Sequence, residues 1–173
     1  YTRRLTNNYR VQFSVLADAY LEEHDLHQQL ITGMTEVLAA PAPPDTSFAY
    51  PTPIGKFTRA QMPEQIKKSE AIVADCKTKI AEVLDRSMVV MPEYNIPYDK
   101  VFPSYVSTYY AAGHEAKAEE LTKKMLVIFE EEIDYYLSVE PKFTATMIDD
   151  LFGAYRGVFS LYQAVNLYGT NEA

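Results

Sequence analysis

Apolar side chains recur at three- and four-residue steps through most of this chain, the spacing that lays one face of an α-helix against a core. The pattern is densest from Pro103 to Leu137. Before Gly113 it is carried by Phe102, Tyr105, Val106, Tyr109 and Tyr110, and after it by Ala118, Leu121, Met125, Ile128, Phe129, Ile133, Tyr136 and Leu137. Gly113 supplies the positive φ that reverses the chain, so this stretch reads as a helical hairpin. Nearer the N-terminus, Thr6 is expected to cap a helix whose inner stripe is Tyr9, Phe13, Leu16, Ala17, Tyr20 and Leu21. The polar cluster Glu22-Glu23-His24-Asp25 then turns it into a second helix carrying Leu26, Leu30, Met34, Val37 and Leu38, which stops before Pro41.

Beyond Pro63 a long helix runs through Ile66, Ile72, Val73, Cys76, Ile80, Val83, Leu84 and Met88 and ends near Pro92. The segment from Pro92 to Tyr98 is an extended connector, and Asp99 caps the central hairpin. Pro141 breaks the chain again. Thr146 and Asp149 offer a capping box for a last helix with Ile148, Leu151, Phe152, Tyr155, Phe159, Tyr162 and Val165 inside. The expectation is an all-α fold of six helices with no convincing strand.

Between residues 41 and 61 the text changes. Five prolines fall between Pro41 and Pro53, with Asp45, Thr46, Ser47 and Gly55 as turn formers. Phe48, Tyr50, Ile54 and Phe57 are too large and apolar for a free linker, so the segment is expected to be an ordered loop packed on the helices. At 173 residues and 47% hydrophobic content, the chain is expected to form a single helical-repeat domain over 1–173. Aligning Tyr20 with Tyr109 brings helix, turn and returning helix into the 34-residue arrangement of tetratricopeptide repeats. In the central copy Tyr109, Gly113 and Ala118 take the tyrosine, turn and small-residue positions. The first copy has His24 and Gln29 instead of the glycine and alanine.

A net charge of -8 and a pI near 4.9 argue against a nucleic-acid surface, which needs clustered lysine and arginine. No run of about 18 apolar residues is present, so the chain is not expected to span a membrane. It starts at Tyr1 without methionine, as expected of a piece of something longer.

Several stretches stand together: Thr6-Asn7-Asn8-Tyr9-Arg10 with Phe13 and Leu16-Ala17-Asp18-Ala19, and Ala81-Glu82-Val83-Leu84-Asp85-Arg86 through Asn95-Ile96-Pro97-Tyr98-Asp99. They continue in Tyr109-Tyr110-Ala111-Ala112-Gly113, Glu132-Ile133-Asp134-Tyr135-Tyr136-Leu137-Ser138 and Pro141-Lys142-Phe143. This combination resembles the soluble C-terminal region of a bacterial membrane-protein family whose polytopic core is similar to protein O-mannosyltransferases of the glycosyltransferase-C type. The resemblance covers Thr6 to about Asp25 and about Cys76 to Tyr168. It implies that sugar-transfer chemistry belongs to the membrane core, with this region a periplasmic helical appendage, and it carries over no catalytic residue.

The candidate chemistry is sparse. His24 and His27, beside Glu22, Glu23 and Asp25, have the spacing of half a metal site, but no HExxH or paired ExxH motif accompanies them, and they read as solvated turn histidines. Glu130, Glu131, Glu132 and Asp134 lie near Tyr135 and Tyr136, as a glycosidase would need, yet read first as a solvated helix face. Cys76 shares an apolar stripe and reads as a buried structural thiol. Gly153 and Gly157 form a GxxxG that suits close packing of soluble helices. The 14 tyrosines, with no tryptophan, are mostly helix-packing residues, with a tyrosine-lined groove for peptide or sugar as the functional alternative. The expectation is therefore a non-catalytic interaction or scaffolding domain without cofactor, binding a protein partner or its own membrane core through a surface including Tyr98, Tyr110, Glu131 and Tyr135. A small carbohydrate-active or hydrolytic domain using the tyrosine and glutamate cluster is the alternative.

Overall fold

The computed structural model describes residues 2–41, 49–140, 142 and 146–168, with side chains from Asn8 onward. Five helices and one hairpin of two strands occupy the described residues: α1 (Thr2–Ala39), β1 (Ala49–Thr52), β2 (Gly55–Thr58), α2 (Met62–Val90), α3 (Phe102–Ala111), α4 (Glu115–Ser138) and α5 (Ile148–Tyr168). The mostly helical expectation is met. Expectations placed on Phe48 and Pro141 lie outside the described residues.

The hairpin expected around residues 22–25 does not form, because α1 is one continuous helix through it. Glutamate, histidine and aspartate are all compatible with a helix interior, and neither glycine nor proline interrupts them. Nor does Thr6 start this helix, which begins at Thr2. The inner face also differs from the expected one. Arg10, Ser14, Ala17, His24, His27, Leu30 and Met34 are buried, with Tyr20 and Leu21 half-buried between Ala17 and His24; of the expected stripe Ala17 is thus inside, Phe13 is half-buried, and Tyr9 and Leu16 are exposed. The seam thus runs through polar residues that an apolar pattern skips.

The chain divides into two compact units, one of Tyr1–Asp18 with Ile80–Ala173 and one of Ala19–Lys79. In the first, α3, α4 and α5 pack on one another. Phe102, Tyr105, Val106 and Tyr109 of α3 and Ala118, Met125 and Phe129 of α4 fill its core. The turn between α3 and α4 is the expected one: Gly113 has φ 78°, and the Gly113 and His114 amides donate to Tyr110 and Tyr109 carbonyls at 2.9 and 2.8 Å. Ala118, fully buried, lets the two helices approach closely.

In the second unit, Leu30, Met34 and Met62 form a cluster flanked by Leu26, Val37, Leu38, Ile66, Tyr50 and Phe57. Tyr50 and Phe57 face each other across the antiparallel ladder of β1 and β2, a strand pair that the all-helical expectation omitted. With only two residues between strands, Pro53 and Ile54 make the turn, Gly55 takes φ 146°, and the Thr52 hydroxyl donates to the Gly55 carbonyl at 2.8 Å. Pro51 is tolerated because a two-stranded ladder leaves each strand an open edge. Tyr50 and Phe57 pack as expected, whereas Ile54 is exposed at the turn. Among the described residues no helix is long and apolar enough to cross a membrane.

Candidate functional site

Arg10 is the most constrained polar group of the first unit. Fully buried, its guanidinium donates to the Pro97 and Ile96 carbonyls at 2.7 Å each and to Met91 at 3.3 Å, and it lies 3.6 Å from the Asp99 carboxylate. Its charge also sits 4.8 Å from the centre of the Phe102 ring, on which Tyr98 stacks at 3.9 Å. Arg10 therefore ties the carbonyls at the end of α2 and the connector after it to α1. The Asp99 carboxylate accepts the Val101 amide at 3.0 Å, although the N-cap of α3 is Val101 and not Asp99 as expected, because the helix begins only at Phe102. Ser87 and Tyr105 share a hydrogen bond of 2.7 Å, and the Tyr105 hydroxyl donates to the Arg10 carbonyl at 3.0 Å. All of these contacts are structural.

Beside them lies a cavity of about 170 Å³ lined by Asp85, Met88, Tyr98, Tyr109, Lys117, Glu120, Leu121 and Lys124. The Tyr109 hydroxyl donates to Asp85 at 2.7 Å, and Lys117 pairs with the other Asp85 oxygen. Burial first, then the Asp85 carboxylate, holds the Tyr109 phenol far above the usual tyrosine range. Glu120 and Lys124 pair at 2.8 Å.

A second, larger cleft of about 560 Å³ includes Tyr98, Asp99, Phe129, Glu132, Tyr136, Asp149, Asp150 and Arg156. It brings together Tyr98 and the neighbourhood of the predicted acid cluster. Of the four residues expected on an interaction surface, Tyr98 and Tyr110 are buried, while Glu131 and Tyr135 are exposed on α4. Tyr135 meets Tyr136 edge to face at 5.5 Å.

His24 and His27 are buried, not solvated, because they sit on the α1 seam. His27 Nδ1 lies 3.0 Å from the Ser69 hydroxyl, and His24 Nδ1 lies 2.8 Å from the Asp25 carboxylate. No group of three or more metal-ligating side chains occurs among the described residues. Cys76 is buried as expected, and burial, followed by the Glu23 and Asp75 carboxylates, pushes its thiol up.

The surface that the sequence reading missed is on α5. There Leu151, Ala154, Gly157, Leu161 and Ala164 face inward, and Ile148, Phe152, Tyr155, Phe159 and Tyr162, expected inside, are exposed. Phe152, Tyr155, Phe159 and Tyr162 are 55%, 46%, 58% and 63% exposed, a continuous row of aromatic side chains at three- and four-residue steps. Asp149, Phe152, Tyr155, Arg156 and Phe159 line a shallow concavity of about 520 Å³. Small residues inward were the available signal. A Cβ on Gly157 would lie 2.3 Å from the Phe129 ring and would force that ring to move, while a Cβ on Gly153 would meet nothing within 4 Å.

Comparison with family models, curated proteins and solved structures finds no match.

Proposed function

We propose that this chain is a non-catalytic protein-interaction domain, built on a tetratricopeptide-like central hairpin and docking through the outer face of α5. The exposed aromatic row carries this reading: the four rings Phe152, Tyr155, Phe159 and Tyr162 on one helix face are more apolar surface than solvation alone accounts for. Aromatic side chains are the residues that concentrate binding energy at protein interfaces. The resemblance of the Tyr9, Asn95 to Asp99 and Glu132 to Ser138 stretches supports a place on the periplasmic face of a bacterial inner membrane, beside a glycosyltransferase-like core. The docking reading is tested by a photocrosslinking side chain at position 159 in intact membranes, with a second at the exposed but non-aromatic position Lys67 as control. Crosslinks at 159 and none at 67 are expected. Equal yields at both positions would remove the reading.

The carbohydrate-active alternative is favoured by one observation, the cleft in which Glu132, Asp149 and Asp150 share a lining with Tyr98 and Tyr136. On the interaction reading, purified protein shows no turnover of activated sugars or glycans. Turnover that disappears in Glu132→Gln would establish the alternative instead.

A further inference from the structure

Resting on that docking reading, we infer that the occupant of the α5 face is a second copy of this chain, its α5 antiparallel to the first. Spacing, charge and area support this independently.

Ile148, Phe152, Tyr155 and Phe159 repeat at steps of four, three and four, the seam of two helices that pack along their length. Asp149 and Arg156 flank that seam on the same side. They are seven residues apart, about 10 Å along the axis, too far to pair within one helix. Neither makes an ion pair among the described residues. The Arg156 Nε donates to the Phe152 carbonyl at 3.2 Å, a bond that does not use the outer guanidinium nitrogens. In an antiparallel pair with its two-fold at the level of Gly153 and Ala154, Phe152 meets the partner's Tyr155 and Ile148 meets the partner's Phe159. In the same register Asp149 meets the partner's Arg156, twice by symmetry. Sliding one helix by a heptad would also stack aromatic layers, but it would bring Arg156 against the partner's Arg156. Charge therefore selects the register.

The rest of the molecule argues for this face over others. Two copies each carrying a net charge of -8 repel, so they associate where charge is locally balanced, and the shallow concavity on α5 is lined by one acid, Asp149, and one base, Arg156. Three aromatic side chains roughly half exposed, with Ile148 and the flanking pair, offer about 500 Å² per copy, or about 1,000 Å² in all. That is the lower bound for a specific interface, the size of a weak, reversible dimer.

The experiment is sedimentation equilibrium of the purified 173-residue chain from micromolar to hundreds of micromolar concentration, with circular dichroism confirming that each variant is folded. The wild type is expected to dimerise reversibly. Arg156→Asp is expected to weaken the dimer at least about tenfold, Asp149→Arg likewise, and the double exchange to restore it to within about threefold of wild type. A chain that stays monomeric throughout overturns the second copy as occupant. So does a dimer that neither single exchange weakens, because it then uses another face. Crosslinks from position 159 to a different protein, with a monomeric chain in solution, would overturn this inference and leave the docking reading standing. A monomeric chain with no crosslink preference for 159 would remove both.

Discussion

Arg10 shows how one side chain can fix a connector that has no regular structure of its own. The connector from Met91 to Asp99 exposes backbone carbonyls that α2 no longer satisfies, and a guanidinium carries enough donors to serve three of them at once. Arg10→Met keeps most of the packing volume but strands those carbonyls and leaves Asp99 without its cation. It is expected to lower stability by about 3 kcal/mol, read from the urea midpoint at unchanged slope. Arg10→Lys retains the charge but lacks the planar fork, and is expected to recover less than half of the loss. A loss below about 1 kcal/mol for Arg10→Met would show that water replaces the guanidinium. This residue was not legible in the sequence. The apolar stripe found Ala17 but included the exposed Tyr9 and Leu16, whereas the seam also passes through Arg10, Ser14, His24 and His27, buried polar groups with at least one hydrogen-bond partner each. A periodicity of three and four that includes satisfiable polar residues was present, but which polar residues are satisfied depends on groups such as Ser69 and Ser104 far along the chain.

Among the elements, the central hairpin was the easiest to read and α5 the hardest, for opposite reasons. At Gly113 the turn demands a positive φ, a local requirement visible in one residue. On α5 two stripes compete: one aromatic, one of Ala154, Gly157 and Ala164 with Leu151 and Leu161. Hydrophobicity favours the aromatic stripe as the core face, but close approach to Phe129 requires the small one. The strand pair was missed because Pro51 and Pro53 argue against a ladder, and only tertiary packing of Tyr50 and Phe57 overrides that. The two α5 glycines give a paired prediction. Gly157→Ala forces the Phe129 ring to move and is expected to destabilise by about 1 to 3 kcal/mol. Gly153→Ala meets no atom and gains helix propensity, so it is expected to stabilise by about 0.5 to 1 kcal/mol when measured at high dilution. Equal effects at both positions would contradict the packing of α5 on α4.

At the scale of the whole molecule, the tyrosines are unevenly used: Tyr98, Tyr105, Tyr109 and Tyr110 are all buried in the unit built from α3, α4 and α5. Burial is the first cause that raises the phenols of Tyr98, Tyr105 and Tyr109 above their usual range, and for Tyr109 the Asp85 carboxylate adds to it. Tyrosine in an unfolded chain ionises near pH 10. Above that pH the unfolded chain therefore binds fewer protons than the folded one, and stability falls as pH rises. The contribution of these phenols is complete below about pH 10 and is lost progressively above it. Surface lysines also discharge in this range, so the informative quantity is a comparison of slopes. Tyr109→Phe removes the hydrogen bond to Asp85 and is expected to lower stability by about 0.5 to 1.5 kcal/mol at neutral pH. It also removes the phenol with the most strongly raised pKa, so its urea midpoint should decline less steeply than that of the wild type between about pH 10 and pH 11. The two curves are expected to converge at alkaline pH. Parallel curves over that interval would mean that Tyr109 ionises equally in the folded and unfolded chain, and that its hydroxyl is not held between α3 and Asp85 as the structure has it.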